Sequence, residues 1–284
     1  MEYALKLRTC RVSLSLLCLL LLAWGGERLW SKHQRDKLRG QEYEPPPPGM
    51  VFVPAGEFLM GSDDANAEPD ERPLRKVFLP AFYIDRFEVT NRRYKEFKSD
   101  HRYPPGEDDF PVTFVLKHDA EEFCRWAGRR LPTSAEWEKA ARGTDGRVFP
   151  WGSEFRDGLA NINRRPGDTN GLSCRLPDAS SPSKGKLPGG SFPQSASPYG
   201  CHDMTGNVWE WVSDVWRDRN FIGWQQGSEA RGIIRGGASS YGPRQARSSY
   251  QGFEGLETTC HDVGFRSAMN AVAKPTQPQE RRRF

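Results

Sequence analysis

The sequence predicts an α+β fold in which short strands and helices are joined by much irregular chain. Short apolar segments bounded by Gly or Pro indicate strands, and other segments with capping residues and helical spacing indicate helices. The chain has 284 residues, is 36% hydrophobic, and contains 28 Gly, 22 Pro and 9 Trp. It can therefore bury the core of one large domain or two small ones, with aromatic packing holding the irregular segments.

The N-terminal residues 1–26 have the pattern of an export signal. Lys6, Arg8 and Arg11 precede an apolar run over residues 12–24 that is dominated by Leu. This run is shorter than the ~20 residues of a comfortable membrane span, so a cleaved signal peptide and an uncleaved signal-anchor are both open. Because no Ala-x-Ala cleavage site follows, the anchor is favoured. We expect a protein outside the cytoplasm, tethered to the membrane or secreted.

Residues 27–49 and 271–284 are expected to flank the domain as a linker and a tail. Residues 27–49 are charged and then Pro-rich, which favours a stiff extended spacer. Residues 271–284 predict a disordered basic tail. The net charge of +4 lies largely in the terminal segments, so it does not indicate nucleic-acid binding.

The domain is expected to begin at Met50 and to open with strands. Residues 51–61 predict two short strands around a Pro/Gly turn, residues 63–75 a polar loop, and residues 77–84 one further strand. Late strands are expected at residues 233–237 and 263–266. Residues 157–197 predict a long loop, which in a compact domain is usually functional, disordered or held by an ion or a disulfide.

Helices are predicted where capping residues precede apolar spacing. Thr90 or Asn91 is expected to cap a helix that continues to about residue 97. Residues 118–127 place several apolar side chains on one helical face. Thr133 and Glu136 have the spacing of a capping box for a helix that continues to about residue 142.

Residues 206–211 place two indoles and one carboxylate side by side. In an extended segment Trp209 and Trp211 share one face, and Glu210 lies on the other. Because an unpaired buried carboxylate is prohibitive, Glu210 has to be solvated, paired or bound to a cation. Two interpretations are open: a core segment with an incidental glutamate, or a packed segment that offers oxygens to a hard cation such as Ca²⁺.

Several short motifs occur along the chain in a fixed order. They lie at residues 53–61, 88–91, 124–133, 136–143, 149–152, 204–211, 235–237 and 264–266. As a set, over about residues 50–268, they resemble the formylglycine-generating enzyme (sulfatase-modifying factor) family. The resemblance implies a single α+β domain at residues 50–270, related to C-type-lectin folds, with little regular secondary structure and with bound Ca²⁺.

The resemblance also implies which residues hold the calcium ions. The matching positions are Asn207, the backbone near Val208 and Glu210 for one site, and Asn161, Ile162 and the carboxylate of Asp178 for the other. Carboxylate, amide and backbone oxygens suit Ca²⁺ rather than Zn²⁺.

The sequence departs from the family at the two cysteines that bind copper. The aligned positions here are Tyr241 and Ala246. A soft Cu(I) ion needs thiolates, and neither residue supplies one. Formylglycine synthesis by the copper mechanism is therefore not expected, and no redox metal is assigned. The chain resembles branches that lack the pair, namely paralogues that bind without oxidising, periplasmic siderophore (pyoverdine) maturation proteins, and periplasmic regulators of secretion systems.

The residues after the Arg-Gly-Gly motif lie where the family has its substrate groove. The polar candidates are Tyr241, Arg244, Arg247, Ser248, Ser249 and Tyr250. Arg and Tyr side chains together can hold an anionic or aromatic ligand. The alternative is an exposed basic loop.

The cysteines beyond the N-terminal segment suggest disulfides. Cys124, Cys174, Cys201 and Cys260 are an even number in an exported domain, and three connectivities are possible. The family partner of Cys124 corresponds to Ser267 here. Cys124 therefore either bonds elsewhere, with Cys260 as the nearest alternative, or stays a buried thiol.

Two His-Asp pairs stand beside cysteines, at residues 201–203 and 260–262. If the pairs met in space, they could form a Cys/His metal site or a Cys-His catalytic pair. Otherwise Asp203 and Asp262 are expected to cap or pair locally.

Two functions are consistent with these observations. The first is oxidative maturation or tailoring of a periplasmic small molecule, peptide or protein, for example a siderophore chromophore. The second is a non-catalytic, calcium-binding module that regulates an envelope complex. A redox metal in the purified protein, or an activity that depends on Tyr241, would distinguish the first from the second.

Overall fold

The computed structural model describes residues 30–162, 185–217 and 230–275. The predicted export signal, most of the predicted tail, Cys174 and Asp178 lie outside the described residues. Across the described ranges, no helix is both long enough and apolar enough to cross a membrane.

The described chain is an α+β assembly of short elements, which confirms the predicted fold class. Its helices are α1 Lys32–Arg39, α2 Asn91–Phe97, α3 Lys117–Trp126 and α4 Ser134–Arg142. Its strands are β1 Met50–Val53, β2 Gly56–Met60, β3 Arg75–Leu79, β4 Phe82–Asp85, β5 Trp209–Trp216, β6 Arg231–Arg235, β7 Gly252–Gly255, β8 Val263–Phe265 and β9 Ala268–Asn270. Short 3-10 helices lie at Pro69–Glu71 and Pro193–Ser195.

Among the described residues, the strands form three sheets, with orders β1-β4-β9, β2-β3 and β7-β6-β5-β8. The pairings are antiparallel except for β5 and β8, which run parallel. Strand β5 thus has a neighbour on both edges, and Glu210 lies opposite Arg235 on β6 and Gly264 on β8. The stretch at residues 206–211 therefore enters the middle of the largest described sheet.

The single strand predicted over residues 77–84 is wrong. The structure has two strands there, β3 and β4, and they belong to different sheets. Pro80 lies between them, and its missing N–H and fixed φ cannot continue a ladder. The apolar run therefore serves two sheets instead of extending one.

The predicted helices are confirmed, including their caps. The Thr90 side chain accepts a hydrogen bond from the Arg93 N–H at the start of α2. Thr133 and Glu136 form the predicted capping box of α4. Helix α3 spans Lys117–Trp126, one residue from the predicted bounds at each end. These elements are locally encoded, because a cap and its target lie within one turn.

Strand β5 lies between two apolar clusters. Trp209 and Trp211 belong to one cluster, together with Phe123 and Phe265, and Val212 belongs to the other, together with Trp137. Both β5 indoles are at most 1% exposed. The expected shared face of the two tryptophans is therefore present.

Residues 30–49 make contacts with the rest of the described chain. Trp30 packs on Phe78 with ring centroids 6.2 Å apart, and the Tyr83 hydroxyl donates to the Glu44 carbonyl at 2.6 Å. Tyr43 pairs with Ala273 in an isolated antiparallel bridge. Helix α1 and the chain before Met50 thus lie against β2, β3 and β4, where the sequence predicted a spacer.

Candidate functional site

Glu210 is paired with a cation from the protein itself. The Arg266 Nε and Nη2 donate to its two carboxylate oxygens at 2.6 and 2.7 Å, and the Trp137 Nε1 adds a third hydrogen bond at 2.7 Å. Glu210 and Arg266 are both 0% exposed. Of the alternatives open for Glu210, the structure shows pairing, and both of its oxygens already accept hydrogen bonds.

The Asn207 side chain joins loops that are distant in sequence. Its Nδ2 donates to Glu88 Oε1 at 2.9 Å, and its Oδ1 accepts from the Leu187 N–H at 2.9 Å and from Asn161 Nδ2 at 3.0 Å. Asn207 and Asn161, expected in separate calcium sites, thus touch each other. Ile162 lies beside Gly206, and Val208 is fully buried.

A buried carboxylate that the sequence analysis did not select lies beside Asn207. Glu88 is 4% exposed, and its Oε2 has no hydrogen-bond partner among the described residues. Burial, and then the negative charges of Asp203 and Glu210, raise the pKa of Glu88 well above its ordinary value. Burial likewise raises the pKa of Asp203, whose Oδ2 accepts from the Gly190 N–H at 2.6 Å.

The carboxylates of Glu88 and Asp203 are the groups that a calcium ion would contact here. An unpartnered carboxylate oxygen next to a second buried carboxylate suits a hard cation, which would also allow both groups to ionise. The side-chain oxygens of Asn207 and Glu210, by contrast, are already satisfied. If a calcium ion binds here, Glu88 and Asp203 are the carboxylates that would hold it. The described residues contain no group of three or more His, Cys, Asp or Glu placed to hold a metal.

A second feature is an open pocket of about 620 Å³ between two loops. Its lining comes from residues 62–68, from Val148, Phe149 and Ser153, and from Pro243, Arg244, Arg247 and Ser249. Of the predicted groove residues, Arg244, Arg247 and Ser249 line this pocket. Tyr241 and Ser248 are buried at 7% and 0% exposure, and Tyr250 is not part of the lining.

The floor of the pocket is held by a buried triad of Arg247, Glu71 and Ser249. The Arg247 guanidinium is ion-paired with the Glu71 carboxylate and donates to the Asn66 carbonyl at 2.8 Å. The Ser249 hydroxyl donates to the same carboxylate at 2.6 Å. Glu71 is 1% exposed and Arg247 is 9% exposed, so this triad fastens the two loops to each other through a largely buried ion pair.

Helix α4 fixes the start of the first pocket loop. Glu138 accepts from the Gly61 N–H at 2.7 Å, and the Arg142 Nη1 donates to the Gly61 carbonyl at 2.7 Å. Gly61 has φ +82°, and a Cβ there would lie 2.4 Å from the Glu71 carbonyl oxygen. Only glycine fits this backbone, so the loop leaves β2 in one direction.

The outer edge of the pocket carries a second ion pair, between Arg244 and Glu68, which we call the rim pair. Its side chains are 57% and 29% exposed. Sequence reasoning selected Arg244 and missed Glu68 and Glu71. Both glutamates lie 176 residues from their arginines.

The two positions aligned with the copper cysteines are buried and do not line the pocket. Tyr241 packs edge-on against Trp209 at 5.3 Å, and burial raises the pKa of Tyr241 to about 12. Ala246 is 0% exposed. No cysteine or histidine is among the described residues that line the pocket. The pocket can therefore bind through ion pairs, hydroxyl groups and the Phe149 ring.

The described cysteines are not poised to react. Cys124 and Cys201 are free and buried. Burial raises the pKa of Cys201 to about 11 and that of Cys124 further still, so both remain protonated thiols at neutral pH. Cys260 is disulfide-bonded. The alternative pairing of Cys124 with Cys260 is therefore wrong, and Cys124 is the buried thiol that was the other expectation.

The two His-Asp pairs do not assemble into a metal cluster in the described chain. Asp203 accepts from the Gly190 N–H, and Asp262 accepts from the Ser240 hydroxyl at 3.2 Å. His202 packs at a tilt against Phe87, with ring centroids 5.1 Å apart and 34° between the planes. Both aspartates thus form local hydrogen bonds.

Comparison with known proteins identifies relatives along most of the chain. Bovine formylglycine-generating enzyme is 33% identical over 229 residues, which cover 60% of this chain and 59% of that protein. The mouse protein named inactive C-alpha-formylglycine-generating enzyme 2 is 28% identical over 281 residues, covering 79% of this chain and 86% of that protein. This chain thus spans about three-fifths of the length of the bovine enzyme.

One solved structure and one family model also match this chain. The structure of PvdO from Pseudomonas aeruginosa superposes with a TM-score of 0.60 at 25% identity, covering 80% of this chain and 97% of PvdO. The model of the sulfatase-modifying factor enzyme 1-like domain matches residues 35–271. The order of motifs, the short-element α+β fold and these matches agree, and the chain belongs to the sulfatase-modifying factor enzyme 1-like family.

Proposed function

We propose that this protein is a binding member of its family, which holds a ligand in the pocket between residues 62–68 and 243–249 without oxidising cysteine. The observation that carries the proposal is the pocket lining. It offers two guanidiniums, two carboxylates, hydroxyl groups and an aromatic ring, whereas its described residues include no thiol for copper. The 86% coverage of an inactive paralogue supports the same conclusion.

The proposal includes a location and a cofactor. The basic residues and apolar run of the N-terminal segment support export, with the domain tethered to the membrane on the periplasmic or extracytoplasmic side. The ligand would then be a periplasmic small molecule, peptide or protein, and not a nucleic acid. Calcium would be structural and would lie at the Glu88 and Asp203 carboxylates, away from the pocket lining.

A pocket-filling variant tests the binding role. Ala65 is exposed and lines the pocket, so Ala65→Trp places an indole inside it without disturbing the core. Ser99→Trp is the matched control, because Ser99 is also exposed and does not line the pocket. A panel of small acids, small amines and capped tetrapeptides would be screened by ligand-observed NMR. We expect wild type and Ser99→Trp to bind the same members and Ala65→Trp to lose at least about tenfold in affinity.

Two results would overturn the proposal. One is binding that Ala65→Trp leaves unchanged. The other is conversion of a cysteine-containing sulfatase-type peptide to formylglycine by the wild-type protein with copper and oxygen, detected by mass spectrometry.

Oxidative tailoring is a second candidate, because the motifs of this chain also resemble the siderophore-maturation branch of the family, which lacks the copper cysteines. In this alternative the same pocket would orient a substrate such as a siderophore chromophore, and a redox group that the described side chains do not identify would accept the electrons. Stoichiometric copper or iron in the purified protein, or an oxidation rate that falls in Tyr241→Phe, would support this candidate over the binding role.

A further inference from the structure

We infer that the pocket selects a carboxylate ligand with an apolar body, and that the ligand takes the place of Glu68 on Arg244. This inference rests on the proposed binding function and specifies its ligand. The structural basis is the contrast between two arginine–carboxylate pairs that join the same two loops, one buried and one at the rim.

The buried pair is committed to the fold. Arg247 is 9% exposed, and its guanidinium is held by Glu71 and by the Asn66 carbonyl. Removing one member of a buried ion pair leaves an uncompensated charge and is strongly destabilising. A ligand therefore cannot take Arg247 from Glu71 without opening the loops.

The rim pair is free to exchange. The Arg244 side chain is 57% exposed, and only its Nη2 makes a hydrogen bond to another described residue, the carboxylate of Glu68. An exposed ion pair contributes little to stability, since water solvates both partners almost as well. When a ligand carboxylate replaces the Glu68 carboxylate, one ion pair with Arg244 is therefore exchanged for a similar one. The planar guanidinium of Arg244 can bind the ligand carboxylate through two parallel N–H groups.

The loop remains in place during this exchange. The Glu68 N–H donates to Glu71 Oε1 at 3.0 Å, and Glu71 is the carboxylate at the centre of the buried triad. The backbone of Glu68 is thus fixed while its side chain is partly exposed. Only side-chain rotation is needed for Glu68 to leave Arg244.

The other pocket walls indicate the rest of the ligand. Phe149 lines the pocket and stacks on Trp151 with ring centroids 5.3 Å apart and an angle of 6° between the planes. Val148 and Pro243 add apolar surface. The remaining lining carboxylate, Asp64, accepts the Asn66 N–H at 2.8 Å and would repel a second negative charge. A single carboxylate on an aromatic or aliphatic body matches these walls.

The competing possibility is a cationic ligand that takes Glu68 from Arg244. Glu68 is about half as exposed as Arg244, at 29% against 57%. Arg244 also retains N–H groups beyond the one that Glu68 occupies, because a guanidinium has five donors. The accessible and incompletely used partner of the rim pair is the cation, which favours an anionic ligand.

Benzoate, benzamide and benzylamine test the inference, because they share a ring and differ in charge. Their affinities for the full chain would be measured by isothermal titration calorimetry or ligand-observed NMR. The variants are Glu68→Gln and Arg244→Gln. Glu57→Gln is the matched control, since Glu57 is a 38% exposed glutamate that is also paired with an arginine, Arg35, and lies outside this pocket.

We expect wild type to bind benzoate at least about fivefold more tightly than benzamide or benzylamine. Glu68→Gln releases Arg244 and removes a competing negative charge, so it should strengthen benzoate binding by about threefold or more. Arg244→Gln should weaken benzoate binding by about tenfold and leave benzamide binding unchanged. Glu57→Gln should bind all three probes as wild type does.

The inference is overturned if Glu68→Gln fails to strengthen benzoate binding, if benzylamine binds better than benzoate, or if none of the probes binds. These failures differ from failure of the proposed function. If Ala65→Trp still blocks ligands from the wider panel, the pocket remains the binding site, and only the claim that it selects a carboxylate ligand is refuted. If Ala65→Trp leaves benzoate binding unchanged, both fall.

Discussion

Arg266 and Glu210 neutralise each other where water does not reach. Both are fully buried, and the pair is joined by two hydrogen bonds, with Trp137 bound to the same carboxylate. Separating such a pair exposes a bare charge to an apolar interior, which is far less favourable than losing a surface contact. The Arg266 guanidinium therefore neutralises the carboxylate in the middle of the β7-β6-β5-β8 sheet.

We predict that Arg266→Leu lowers the free energy of unfolding by about 3–5 kcal/mol, because Glu210 is left buried without a counter-charge. Urea unfolding followed by tryptophan fluorescence measures this value. Arg92→Leu is the control, since Arg92 and its partner Asp109 are 61% and 70% exposed. Its effect should stay within about 1 kcal/mol. Equal losses in the two variants would contradict the prediction.

For individual residues, the sequence indicated which side chains require a partner but not which residues are the partners. It predicted that Glu210 has to be solvated, paired or bound to a cation, because burial of a carboxylate beside two indoles is a local inference. It did not identify Arg266, which lies 56 residues away and carries no periodic signal of contact. Glu68 and Glu71 were missed for the same reason. A polar loop gives no indication of which distant arginine its acids will meet.

Among the elements, the loops around residues 88, 185–190 and 203–208 bring the carboxylates of Glu88 and Asp203 close to each other. The Glu88 and Asp203 carboxylates are both buried, while Arg266 is already taken by Glu210. A loop cluster of this kind is held more firmly when a hard cation supplies the missing positive charge.

We predict that the purified protein contains calcium and that a chelator lowers its Tm by about 5–10 °C, since a ligand that binds only the folded state stabilises it. Elemental analysis and thermal melts with and without the chelator give both readouts. Asp203→Asn should reduce the chelator effect. Asp64→Asn should retain it, because Asp64 is an exposed carboxylate of the pocket loop. The calcium assignment would be contradicted by a purified protein that contains no calcium, or by a Tm that the chelator does not change.

Element boundaries were predictable where the signal was local and not where the chain changed sheets. Caps at Thr90 and Thr133 act within one helical turn, and both are present. The break between β3 and β4 was missed because both flanks are apolar. Pro80 marks the break locally, and the pairing of the two strands with different neighbours shows that two sheets share this run.

For the whole molecule, the packed unit includes chain on both sides of residue 50. The Glu44 N–H donates to the Val272 carbonyl at 2.8 Å, and the Lys274 N–H donates to the Glu42 carbonyl at 2.9 Å. The chain before Met50 and the chain after Asn270 are therefore held against each other. The family match begins at residue 35 and therefore includes most of the chain before Met50 that takes part in these contacts.

We predict that a variant beginning at residue 50 is less stable than one beginning at residue 30. It loses the hydrogen bond from Tyr83 to Glu44, the Tyr43 bridge and the packing of Trp30 on Phe78. These losses should lower the Tm by about 2–8 °C, as expected for roughly 1–2 kcal/mol in a domain of this size. Calorimetry on the two proteins checks this. Identical melting would show that residues 30–49 contribute nothing to the fold.

The two ion pairs of the pocket have separate roles, one in the stability of the loops and the other in ligand specificity. The buried pair of Arg247 and Glu71 holds the loops together, and the rim pair lies where a ligand enters the pocket. New residues at positions 68 and 244 could thus change which molecules are admitted while the fold keeps its stability. Descendants of this scaffold could acquire different ligands through two surface substitutions, long before any change to the interior was required.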